Sequence, residues 1–310
     1  MLTPCRGRAI MLHAMSKLVL HAALAVVAVA ACAAPQPAVR DRPTDGGELF
    51  VRTGGSGPDV VMLHGLGDSS VGWHWIEQPL RDAGFRVTVW DALGCGRSDR
   101  PDSGDYGLAA HVERLRAVFD DYGIRRAHLI GNSLGGTIAL LFAQTHPDRV
   151  GRLVLLNPAA YPDGGTTPAW FWQVPGLAES VLARLPVEWL ARTMLRYLFG
   201  DPRRVREEDV RLYAAVAERH RAMQGLILQQ RQLYPEPGVA ERWVAGHKQV
   251  AAQTLILWGT KDRILPLEQA KRLARDLPHA KLQLLDSVGH VPQLEVPQEV
   301  LAAITAFLRD

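Results

Sequence analysis

From residue 48 onward, short apolar runs alternate with stretches of helical periodicity. The run 60–63 ends at His64-Gly65, 85–90 at Asp91, 127–130 at Gly131, 153–156 at Asn157, 255–258 at Gly259 and 281–285 at Asp286. Each run has the length of a strand and is closed by a residue that turns the chain. The runs 60–63, 153–156 and 255–258 are apolar at successive rather than alternate positions, as strands buried on both faces of a parallel sheet are. Residues 48–53 add a candidate antiparallel edge strand. The pattern predicts an α/β fold with a mostly parallel, doubly wound sheet.

The alternation breaks once. Between Leu156 and Leu255 no comparable strand occurs, and helical patterns fill 176–198 and 207–233. We read 159–245 as an inserted helical lid over the C-terminal edge of the sheet, where ligands of open α/β sheets bind. The core is then 48–158 and 246–310. Trp170, Phe171, Trp172, Trp189, Tyr197, Phe199 and Trp243 in the insertion point to an apolar pocket, with lid packing as the competing use.

Before the body lies a different pattern. Residues 18–31 are apolar apart from His21, follow Arg6, Arg8 and Lys17, and close on small residues. This is the three-part layout of a secretory signal, with Met11 or Met15 a more compact start than Met1. As a helix the run spans roughly 21 Å at ~1.5 Å per residue, short of a bilayer core. Val29-Ala30-Ala31-Cys32 resembles the lipobox of bacterial lipoproteins. The resemblance implies a signal peptide over 1–31, lipidation of Cys32 and an exported, membrane-anchored protein, and Pro35, Pro37, Pro43 and Gly46-Gly47 make 32–47 a flexible tether. The alternative is a periplasmic or secreted protein.

Charge narrows the partners. Lys and Arg number 35 against 32 Asp and Glu, and without the leader's three bases the body is neutral. That disfavours nucleic acid, which calls for a basic excess. Cys95 is the sole cysteine of the body, so neither an internal disulfide nor a cysteine zinc site is expected there.

Chemistry concentrates at strand ends. Gly131-Asn132-Ser133-Leu134-Gly135 follows one expected strand and opens a helix over about 134–144. This is the G-x-S-x-G elbow, whose glycines admit a sharp turn that lifts the serine hydroxyl above the sheet. His64-Gly65-Leu66-Gly67, Trp258-Gly259-Thr260-Lys261-Asp262 and Val288-Gly289-His290 follow three other strands. Ser133, Asp262 and His290 thus occur in the chain order of a hydrolase triad on this scaffold. A serine hydroxyl is a poor nucleophile at neutral pH. An imidazole can take its proton, and a carboxylate can hold that imidazole in the right tautomer.

With these motifs the chain resembles the α/β-hydrolase fold proteins over 48–310, in particular the serine hydrolases with a helical lid. The resemblance implies Ser133 as nucleophile, His290 as general base and Asp262 as the triad acid. It implies oxyanion-hole amides from Leu66 and Leu134, and no cofactor or metal. It makes Asp91-Ala92-Leu93-Gly94-Cys95-Gly96-Arg97-Ser98-Asp99 a fold signature tied down by Arg97 and Asp99. His64 is read as a loop-holding residue and Cys95 as a buried filler.

The implied reaction is hydrolysis of an ester or related acyl bond of a small, apolar substrate through an acyl-enzyme. Asn132 points to an alternative, since Gly131–Gly136 also matches hydrolases that split C–C bonds in meta-cleavage products. Those relatives carry a Gly-Pro-Gly-rich oxyanion loop, whereas this chain has Gly67-Asp68-Ser69-Ser70. A third reading, of another class, is a catalytically silent ligand-binding relative.

Overall fold

A computed structural model describes residues 39–40, 47–162, 186–218, 222–233 and 238–310. The leader with Cys32, and Trp170, Phe171 and Trp172, lie outside the described residues. The expected tether carries β1 (Val39–Arg40), which pairs antiparallel with β2 (Glu48–Leu49). The main elements follow as β3 (Val51–Gly54), β4 (Asp59–Leu63), α1 (Glu77–Asp82), β5 (Arg86–Trp90), α2 (Leu108–Asp121), β6 (Ala127–Asn132), α3 (Leu134–Thr145) and β7 (Val150–Leu156). After them come α4 (Val187–Leu198), α5 (Glu207–Ala217), α6 (Ala222–Gln232), α7 (Val239–Ala245), β8 (Gln253–Gly259), α8 (Leu267–Asp276), β9 (Ala280–Leu285), α9 (Pro292–Glu295) and α10 (Pro297–Arg309).

The seven-stranded sheet has the order β3-β5-β4-β6-β7-β8-β9. The edge strand β3 is antiparallel to β5, and the rest are parallel. The chain moves from β4 outward to β5 and then returns to place β6 on the other side of β4. That reversal opens a crevice beyond the carboxyl ends of β4 and β6.

Period-two alternation sends the apolar runs to two cores. Val61 and Leu63 of β4 face one cluster with Leu115 and Phe119 of α2 and Ile138 and Phe142 of α3. Val60 and Met62 face the other, with Leu80 of α1 and Val300, Ile304 and Leu308 of α10. Both faces of β4 are covered, which is why Val60 to Leu63 are apolar throughout.

The inserted helices divide. Helices α4 and α5 share a third cluster, in which Leu195, Phe199 and Val210 pack against Val291 and Leu294 beside α9. Helix α7 instead enters the first core through Ala240 and Trp243. Only its sequence position places it with the lid. We call α4 to α6 the cap.

Candidate active site

The elbow forms as its sequence requires. Ser133 has φ 51° and ψ −117°, a left-handed conformation that costs a non-glycine residue about 1–3 kcal/mol. Its N–H donates to Leu156 O at 3.1 Å, and its carbonyl accepts from Gly136 and Thr137 of α3 and from Ala159. Backbone crowds the turn: a Cβ on Gly135 would lie 2.0 Å from Leu63 O, and one on Gly131 would lie 2.4 Å from Gly135 O. No side chain other than hydrogen fits at either position. Leu134 opens α3, so its amide has no acceptor within the helix and adds to the positive end of the helix dipole.

His290 and Asp262 meet after β9 and β8. His290 Nδ1 lies 2.8 Å from Asp262 Oδ2, with both side chains almost wholly buried. The same carboxylate accepts from Asn157 Nδ2 at 2.7 Å and from the amides of Ile264 and Leu265 at 2.7 and 3.0 Å. A carboxylate used as an acceptor requires the imidazole proton on Nδ1. Nε2 then keeps a free lone pair, the arrangement of a general base. Asn132, next to Ser133, donates from Nδ2 to Leu156 O at 3.0 Å and to His290 O at 3.1 Å. The elbow is thereby stitched to the backbone of the histidine loop.

The loop after β4 is fixed from below. His64 accepts from Ala92 N–H at Nε2 and donates from Nδ1 to Gly65 O, at 2.9 and 2.8 Å. Both ring nitrogens are occupied, so His64 holds the loop and is not available as a base. Leu66 is half-buried, and a Cβ on Gly65 would stand 3.4 Å from Ser133 Cβ. Asp68 follows; its carboxylate accepts from Ser69 N–H at 2.7 Å and from the Tyr213 hydroxyl of α5. Burial pushes the Asp68 carboxyl above its usual range, opposed by His64.

The signature loop after β5 closes as a knot around Asp91. Asp91 accepts from Ser70 and Arg97 amides at 2.6 and 2.7 Å, and Asp99 accepts from Glu48 N–H at 2.8 Å. The Arg97 guanidinium stacks over Phe50. Cys95 is buried, receives a hydrogen bond from Gln229 Nε2, and has its thiol pushed up to about 12 by burial. It is an inert filler.

Several other residues are placed apart from this constellation. Asp286 engages Thr260 and Ser287 rather than His290. Trp189 and Tyr197, expected near a pocket or in lid packing, are 53% and 44% exposed. They sit on the solvent side of α4, whose buried face is Ala191 and Leu195. Phe199 and Trp243 are buried. A cleft of about 460 Å³ between α5 and the core is lined by Arg52, Ser70, Glu77 and Arg97 and by none of Ser133, Asp262 and His290. Among the described residues no cluster of three or more His, Cys, Asp or Glu has the makings of a metal site.

Two residues gained roles that spacing did not reveal. Asn157, which the sequence marks only as the end of a strand, donates to Asp262. Glu295 accepts from the amide that precedes His290. Asn157 finds its partner at the end of a neighbouring strand, and Glu295 finds two further partners, the amides of Gly200 and Asp201, in the cap.

Comparison with known proteins follows the same lines. A family model described as alpha/beta hydrolase fold matches residues 58–297. A 2-hydroxy-6-oxononadienedioate/2-hydroxy-6-oxononatrienedioate hydrolase of Burkholderia vietnamiensis is 32% identical over 282 residues, covering 86% of this chain and 93% of that one. A 2-hydroxy-6-oxo-6-phenylhexa-2,4-dienoate hydrolase of Comamonas testosteroni is 30% identical over 263 residues, covering 82% and 89%. Among solved structures, a thermophilic esterase from Thermogutta terrifontis superposes with TM-score 0.74 at 26% identity, covering 89% and 98%.

Proposed function

The chain belongs to the alpha/beta hydrolase fold family, and on that premise we propose that it is a serine-dependent hydrolase of a carbon–carbon bond in a 2-hydroxy-6-oxo-dienoate. The observation that carries this reading is the likeness, over more than four-fifths of the chain, to enzymes named for such substrates. The elbow Gly-Asn-Ser-Leu-Gly-Gly agrees with it.

In this reading Ser133 is the nucleophile, His290 the general base and Asp262 the group that orients it. His290 Nε2 takes the Ser133 proton as the oxygen adds to the 6-oxo carbon. The amides of Leu66 and Leu134 hold the oxyanion, a contribution of about 10²–10³-fold for each donor elsewhere. The 2-hydroxyl proton of the dienoate first moves to C5, giving the 2-oxo form; collapse then breaks the C5–C6 bond, its electron pair passes through the conjugated chain to the 2-oxygen, and that oxygen takes the proton from His290. Water, deprotonated by the same imidazole, then releases the acyl group as a carboxylic acid.

A second reading, hydrolysis of an ester of a small apolar acid, is favoured by Gly67-Asp68-Ser69-Ser70 where the C–C hydrolases carry a Gly-Pro-Gly-rich loop. The likeness to a thermophilic esterase favours it too. Labelling with a fluorophosphonate, beside Ser133→Ala and His290→Ala, tests the shared serine chemistry. Labelling is expected in the wild type and is lost with Ser133. A folded wild-type protein that takes no label sinks both readings. The ratio of kcat/KM for a 2-hydroxy-6-oxo-dienoate to that for p-nitrophenyl acetate then separates them, and a ratio above one is expected.

Export with lipidation of Cys32 also stands as a proposal, supported by the apolar leader and Val29-Ala30-Ala31-Cys32. Its check is the mass of the mature N-terminal peptide, where an unmodified or retained leader contradicts it. Among the described residues no helix is long and apolar enough to cross a membrane.

A further inference from the structure

We propose that Glu295 is a positioning residue that yokes the cap to His290, so that the seat of α4 sets the placement of the imidazole. The proposal rests on the reading of His290 as the general base.

The Glu295 side chain is 0% exposed. Its Oε2 accepts from Gly289 N–H and from Gly200 N–H, both at 2.8 Å. Its Oε1 accepts from Asp201 N–H at 2.9 Å, with Arg204 Nη1 at 3.5 Å. Gly289 immediately precedes His290, whereas Gly200 and Asp201 follow the end of α4. One carboxylate therefore joins the histidine loop to the cap by charge-assisted bonds to backbone.

A second set of contacts runs along the same seam. His290 N–H donates to Leu198 O, the last residue of α4, at 2.7 Å. His290 O accepts from Asn132 at the elbow. The residue is thus held by the cap at its amide and by the nucleophile's neighbour at its carbonyl. The backbones touch: a Cβ on Gly289 would lie 2.1 Å from Leu198 O, and one on Gly200 would lie 2.5 Å from Ser287 O. Beneath, Leu195 and Phe199 of the cap pack with Val291 and Leu294. A shift of the cap end is therefore passed to the loop through these bonds and contacts. A purely structural Glu295 would need only to be satisfied. Here the bonds it makes are spent on the segment that holds the base.

Glu295→Gln is the test, because an amide offers one acceptor oxygen where the seam presents donors to both. The comparison variant is Leu308→Ala in α10, which lowers stability through the core without touching the seam. Glu295→Gln is expected to lower kcat by about 10–100-fold with KM within about threefold. It is also expected to shift or broaden the downfield proton resonance of His290 Nδ1–H, a signal that His290→Ala removes. Leu308→Ala, compared well below its melting temperature, is expected to keep kcat and the resonance. An unchanged kcat and resonance in Glu295→Gln, or losses equal to those of Leu308→Ala, overturn the proposal. If Glu295→Gln does not fold, Gly200→Ala opens the same seam with the carboxylate intact. It is expected to show the same kcat loss, and wild-type kcat in it overturns the proposal. Retained turnover in His290→Ala would instead strike the assignment of the base, an outcome read independently of Glu295.

Discussion

Asp262 spends both of its oxygens on four donors, one of which is the His290 ring. Asp262→Asn would present an amide where an acceptor is needed and favour the wrong imidazole tautomer. Turnover is expected to fall by about 10²–10⁴-fold with the fold intact by circular dichroism. Asn157→Ala removes one of those donors and leaves the Gly259 amide without its 3.3 Å contact to Asn157 Oδ1. Expected are a roughly tenfold loss of kcat and a loss of about 1–2 kcal/mol in denaturant unfolding. Ser133, Asp262 and His290 were legible because each lies in a short motif directly after an apolar run. Asn157 was not, because its partner is set by the neighbouring strands β7 and β8, where Leu156 lies opposite Leu257. Glu295 was hidden for the same reason: its partners Gly200 and Asp201 lie more than 90 residues away.

At the scale of elements, buried polar contacts hold the cap to the core. Asp209 of α5 is 0% exposed and accepts from Trp75 Nε1 at 2.9 Å, with His74 Nε2 at 3.1 Å. Burial pushes the Asp209 carboxyl up, yet His74 and Trp75 outweigh it and hold it below the usual range. Asp209→Ala strands both partners. A loss of about 3 kcal/mol is expected, with faster limited proteolysis in the cap than in α10. The central strands were legible because both of their faces are buried and periodicity reports burial. The cap was not. Helical spacing marks an apolar stripe but does not say which surface covers it, so Trp189 and Tyr197 read as pocket candidates although α4 turns them outward. Likewise, nothing in the sequence of 239–245 distinguishes a lid helix from α7, which packs in the core.

For the whole molecule, acid is the condition that probes the core most selectively. His247 is 0% exposed, stands edge-on to Tyr161 and Trp243, and neither ring nitrogen has a partner among the described residues. Burial lowers its pKa from 6.5 to about 4, with Asp276 opposing and Arg272 adding to the shift. The unfolded chain therefore takes a proton below pH 6.5 that the folded protein refuses until about pH 4. Stability is full above that window and falls as pH drops through it, by about 3 kcal/mol. His247→Met is expected to flatten this part of the stability–pH curve in urea unfolding. An unchanged slope would show that His247 is not the group responsible.

The central claim is tested most directly by products. Purified protein is incubated with 2-hydroxy-6-oxo-6-phenylhexa-2,4-dienoate beside Ser133→Ala, and the products are identified by mass spectrometry. Cleavage to benzoate and 2-hydroxypenta-2,4-dienoate by the wild type alone is the result this account predicts. A folded, fluorophosphonate-reactive protein that leaves the dienoate whole while turning over p-nitrophenyl esters would contradict it.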